Sequence, residues 1–150
     1  MSDPPSSAAA MGICSIQIQG HGGVILKRYN RPPFIKGLER FFSRGWVMEA
    51  AVARAADRDV HRCEIATDDV VYIKRYHLSG FKSNLRSLLN VNKAQKAWRI
   101  GRQLLLRGLD TPLPIALLKK RVSAFSFEYI CVTKGIENAE TLRDASRLLK

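Results

Sequence analysis

The sequence predicts an α+β fold: an antiparallel sheet with one long helix, preceded by a partial repeat of a hairpin–helix unit. Three observations predict it. Short alternating apolar segments flank turn residues in "CSIQIQGHGGVIL" and again in "HRCEIATDDVVYI". Each of these runs into the tripeptide Lys-Arg-Tyr, at Lys27–Tyr29 and, 47 positions later, at Lys74–Tyr76. A third stretch, "KAQKAWRIGRQLLLRG", instead spaces its apolar residues three and four apart, which is the period of a helix.

A chain of 150 residues has room for one domain with one core. Its 46% hydrophobic and 8% aromatic content is that of a globular protein and excludes wholesale disorder. The charge is unusual: 25 Lys and Arg against 13 Asp and Glu give +12, which favours an anionic partner. Cys14, Cys63 and Cys131 are odd in number, with neither Cys-x-x-Cys spacing nor a histidine at a ligand-like interval. They read as free thiols in a reducing compartment, so a cytoplasmic protein is expected. The opening "MSDPPSSAAAMG" lacks the basic and apolar regions of a signal peptide and reads as a loose tail, residues 1–13. No uncharged apolar run approaches the length of a membrane span.

The elements follow in order. Residues 14–58 form the first, partial copy: a strand, the turn "QGHGG", a second strand, a loop and a helical segment. The Ala-rich "GWVMEAAVARAADRDV" then reads as either helix or strand. The second copy begins near Asp59; sliding the chain by 47 aligns Cys14–Ala51 on His61–Trp98 without a gap. Asn92 is placed to cap the long helix, whose apolar face carries Ala94, Ala97, Trp98, Gly101, Leu104 and Leu105. Lys93, Lys96, Arg99, Arg102 and Arg107 lie mostly on its other face, and Gly108 stops it. The prolines of "DTPLP" force an extended segment. "IALLKKR" and "FSFEYICVT" read as two strands around the turn "VSA", and "NAETLRDASRLLK" opens another amphipathic helix.

Hairpin with a lysine, helix, strand, strand, connector, helix is the element order of a protein-kinase-like small lobe. "VYIKRY", "AWRIGRQLLLRGLDTPLPIALL" and "FEYICVTKGIENAETLRD" resemble the amino-terminal lobe of the lipopolysaccharide kinase family, which includes Kdo and heptose kinases. The resemblance covers residues 59–150 and is most specific where the helix runs into "RGLDTPLP". It implies ATP-dependent phosphorylation of a lipopolysaccharide core sugar. It implies Lys74 as the strand lysine that meets the nucleotide's phosphates, and Val132, Thr133 and Lys134 as the connector that reads the adenine. Lys27, whose copy lacks the helix-Gly-Pro sequel, is expected to be non-catalytic. Magnesium is expected only with a complete large lobe.

The pattern departs from that family in three ways. The helix has no glutamate to pair with Lys74, leaving Glu128 or Glu64 as substitutes if the fold brings them close. The first loop, "RAADRDV", has no glycine. His-x-Asp with a following Asn, and Asp-Phe-Gly, do not occur, so no catalytic or metal-binding residue is assigned. Asp57, Asp59, Asp68, Asp69 and Asp110 fall mostly in expected turns. The chain reads as a truncated member, inactive alone: either a degraded or split gene product, or one half of an enzyme completed by a large lobe on another chain. The alternative is a non-enzymatic basic α+β module. Its partner is either nucleic acid, with Trp98 or Phe81 stacking on bases, or an anionic glycolipid or inner-membrane surface. Trp98 lies on the apolar face and reads as core.

Overall fold

The computed structural model describes residues 12–45, 51–55, 58–66, 69–78, 93–124 and 126–136. Residues 1–11 of the tail, Phe81 with the helical segment expected in the second copy, Asn92 and the helix expected after residue 137 lie outside these residues, whereas Ile13, expected in the tail, is the first residue of a strand.

The first hairpin pairs β1 (Ile13–Ile18) with β2 (His21–Leu26). Gln19 and Gly20 both take positive φ, 45° and 80°. That is the two-residue turn whose twist matches the flanking strands, so the turn is tighter than "QGHGG" suggests and β2 starts at His21. Lys27–Tyr29 form a single 3₁₀ turn, after which α1 (Pro32–Ser43) begins. Its two leading prolines occupy positions where no backbone N–H is needed. Within the Ala-rich stretch Ala53–Ala55 form a strand: β3 (Ala53–Ala55) pairs with β4 (Arg58–Ala66). Most of "RAADRDV" is therefore strand, and Asp59 lies inside β4, contrary to its expected place in a turn. β3 thus pairs with the first strand of the second hairpin. β4 then pairs with β5 (Asp69–Leu78). After α2 (Lys93–Leu106) the chain forms β6 (Pro114–Ser123) and β7 (Ser126–Lys134).

All seven strands join one antiparallel sheet in the order β1-β2-β6-β7-β5-β4-β3. The two hairpins related by the 47-residue repeat flank the central β6–β7 hairpin, each with its second strand innermost. The Lys-Arg-Tyr tripeptides diverge in backbone. Lys27 follows the end of β2, whereas β5 runs on past Lys74 for four residues. Both tyrosines are nonetheless buried, Tyr29 in the core under α1 and Tyr76 in a second cluster.

Side chains alternate between the two faces of a sheet. On one face Ile25, Ile73, Leu118, Ile130 and Val132 pack with Phe34 and Leu38 of α1. A Cβ added at Gly37 would lie 2.2 Å from Ile65 Cγ2 and 2.6 Å from the Ile65 carbonyl oxygen, so α1 packs directly on Ile65 of β4, backbone and side chain alike. On the other face Tyr76, Tyr129 and Cys131 pack with Ala94 of α2, which crosses β6 and β7. Gly101 brings that helix against Pro114, where a Cβ would stand 2.9 Å from Pro114 Cγ. The helix ends as expected: Gly108 has φ 73°, and Leu109 N–H donates to the Leu104 carbonyl. Trp98 is buried, but Ala97, expected on the apolar face, is exposed.

Candidate functional site

Lys74 sits within β5, opposite Val60 of β4 on one side and Cys131 of β7 on the other. It therefore shares the α2 face with Tyr76 and Cys131, and it is half-buried. A packed strand flanked by two others fixes the base of the side chain, while its length leaves the ammonium able to reach an anion. Its charge is felt locally. Burial pushes the Cys131 thiol up to about 11, against the opposing pull of the Lys74 ammonium.

The expected adenine-reading residues divide between faces. Thr133 lies on the Lys74 face, its hydroxyl 3.5 Å from the Tyr72 carbonyl that accepts from it. Val132 is buried on the α1 face, and the Lys134 side chain alternates to that face too. Val132 and Thr133 each pair with both β5 and β6. Lys134 N–H donates to the Leu113 carbonyl and Gly135 N–H to the Val70 carbonyl. The segment is thus largely sheet, and a connector begins only at Gly135.

Neither substitute glutamate reaches Lys74. Glu64 pairs with Arg62 at 3.2 Å on the exposed side of β4. Glu128 faces the opposite side of the sheet, where its Oε1 lies 3.1 Å from His21 Nε2. No carboxylate pairs with Lys74 among the described residues.

No protein-family model, curated protein or solved structure matches the chain. Its chemistry is read from its own residues.

A second constellation escaped the sequence reading. Under α1, Arg75 donates to Asp59 at 2.9 Å, with Asp59 fully buried, and a second Arg75 nitrogen stands 3.8 Å from Glu128. Glu128 in turn contacts His21. These groups form a row across β4, β5, β7 and β2, in which the Asp59 and Glu128 carboxylates flank Arg75. Phe42 stacks on His21 with centroids 4.9 Å apart, and Phe41 meets the His61 ring edge-on at 5.8 Å. Burial lowers the His61 pKa, opposed by the Asp59 carboxylate and assisted by Arg75. The available signal was the alternation of Asp59, His61 and Cys63 with exposed residues; it was obscured because Asp59 reads as a turn residue. The row is largely buried, with Phe42 stacked on its His21 end, so its chemistry is that of a buried ionic clasp.

Among the described residues, no group of three His, Cys, Asp or Glu side chains is arranged to hold a metal ion. No helix among them is long and apolar enough to cross a membrane.

Proposed function

We propose that the chain is a kinase-like small lobe, similar to that of lipopolysaccharide kinases, in which Lys74 receives the phosphates of ATP. The observation that carries this reading is the placement of Lys74. It is a cation on an inner strand, on the same face as the long helix, with no carboxylate partner among the described residues. The order hairpin, helix, strand, strand in β4–β5, α2, β6 and β7 is compatible with such a lobe.

The described residues fit a phosphate but not its magnesium. Asp59, Asp69 and Glu128 are held in pairs with Arg75, Arg31 and His21 on the other face, and Glu64 is held by Arg62. In this reading the described residues supply positioning charge, and the groups that move the hydroxyl proton and hold the metal lie outside them. Phosphorylation of a lipopolysaccharide core sugar is the activity of the completed enzyme.

The test is ATP binding by calorimetry to the 150-residue chain, compared with Lys74→Ala and Lys27→Ala. A charge-assisted contact contributes roughly 1.5–3 kcal/mol, so Lys74→Ala is expected to weaken binding by about 10- to 150-fold. Lys27→Ala should leave it unchanged. Equal binding by all three proteins, or none by any, refutes the assignment.

A further inference from the structure

Three of the carboxylates are gathered on one face of the sheet. Asp59, Asp69 and Glu128 lie on the α1 side of the sheet, each ion-paired there. α2, on the other side, has no acidic residue anywhere along its length. Its outer surface carries Lys96 and Arg99, and the turn that ends it carries Arg107, all exposed and without an ion pair among the described residues. A glutamate four residues from a lysine is the usual way a helix neutralises such a face; none occurs here.

Large aliphatic side chains are interleaved with these cations. Ile100 is 40% exposed, Leu106 58% and Leu109 52%. Lys96, Ile100 and Arg107 fall on one stripe, since steps of four and seven return to the same side of a helix. Trp98, the helix's aromatic residue, is buried and crossed by the Arg102 guanidinium, 5.8 Å from its ring centroid. The outer surface of the helix therefore offers phosphate-seeking cations and aliphatic side chains but no aromatic platform. Nucleic-acid surfaces of the sequence-tolerant kind depend on stacking aromatics. An anionic bilayer takes the opposite combination: headgroup charge for Lys and Arg, and acyl chains for a few shallowly inserted aliphatics.

We propose that the outer face of α2 and the turn that follows it dock on an anionic lipid bilayer, with Lys96, Arg99 and Arg107 at the headgroups and Ile100, Leu106 and Leu109 entering the interface. The inference does not rest on the nucleotide reading, and its failure is read in a separate assay.

The test is co-sedimentation of the full chain with vesicles of phosphatidylcholine containing one-third phosphatidylglycerol, against pure phosphatidylcholine vesicles, over a salt series. Single-stranded RNA is the competing polyanion. Binding to the anionic vesicles alone is expected. Each cation near the surface contributes about 1 kcal/mol, about fivefold in affinity, so Lys96→Ala/Arg99→Ala/Arg107→Ala should bind roughly a hundredfold more weakly. Ile100→Ser/Leu106→Ser should weaken vesicle binding about tenfold or more and leave its salt dependence unchanged. Both variants change exposed side chains, and thermal melts matching wild type establish that they fold. The proposal is overturned if the serine variant binds vesicles as wild type does. It is equally overturned if RNA is bound while vesicles are not, or if neither is bound.

Discussion

Arg75→Met is the most informative perturbation of the fold. Arg75 is nearly buried and is hydrogen-bonded at 2.9 Å to Asp59, a carboxylate with only 3% of its side chain exposed. Methionine keeps the apolar stem but withdraws the guanidinium from both Asp59 and Glu128. Removing one member of a buried pair costs about 3–5 kcal/mol, because the charge left behind is kept from water and has lost its guanidinium. For a chain of this size each kcal/mol moves the midpoint by roughly 2–4 °C, so Tm should fall by about 10 °C. Arg62→Met is the control. Its pair with Glu64 is exposed on both sides, and such pairs contribute about 0–1 kcal/mol. Adding Asp59→Leu to Arg75→Met removes the stranded charge, so the double variant should recover much of the loss. Calorimetric and urea melts of the four proteins provide the measurement. An Arg75→Met protein that melts with Arg62→Met, or a double variant no more stable than the single one, refutes the account of the clasp.

Three further outcomes are expected. The His61 pKa is lowered in the folded state, so the unfolded chain takes up a proton first. Stability should hold above about pH 6.5 and decline as the pH falls through the range below it, and His61→Gln should flatten that decline in a pH series of melts. Burial holds the Cys131 thiol at about 11, so a disulfide reagent at neutral pH should modify the half-buried Cys14 and leave Cys131 unmodified until urea unfolds the chain. Gly37→Ala places a methyl group 2.6 Å from the Ile65 carbonyl oxygen, so α1 must shift. A loss of about 1–3 kcal/mol is expected, whereas Ala at Gly45, whose added Cβ has nothing within 4 Å, costs only the left-handed backbone penalty of roughly 1–2 kcal/mol.

Local pattern made the hairpins and the long helix legible. Alternation gave β1, β2, β4 and β5, and the spacing of Ala94, Trp98, Gly101 and Leu105 gave the buried face of α2. What stayed hidden depends on neighbours distant in sequence. Ala53–Ala55 is strand because β4 pairs with it, and nothing in three small or basic residues encodes that. Lys-Arg-Tyr adopts two backbones because β5 has strands on both sides through Lys74, while the chain at Lys27 is already turning toward Pro32. The Lys74 position was legible from its strand. The ionic clasp was not, because each of its members sits alone in its own segment and only the sheet order brings them into one row.

The placement of β6–β7 between two hairpins made earlier bears on how the chain is synthesised. β2, at residues 21–26, waits for β6 at 114–123, and β5, at 69–78, waits for β7 at 126–134. On the ribosome both early hairpins emerge with their inner edges bare, open to each other or to a neighbouring nascent chain. Gly23 provides a partial safeguard. Its missing side chain weakens β2 as a template on its own, yet it admits the Leu117 carbonyl, which would stand 2.1 Å from an added Cβ. Assembly should therefore be slow and late, governed by these long-range pairings, and a chaperone that shields strand edges should raise the yield of native protein more than one that only accelerates proline isomerisation.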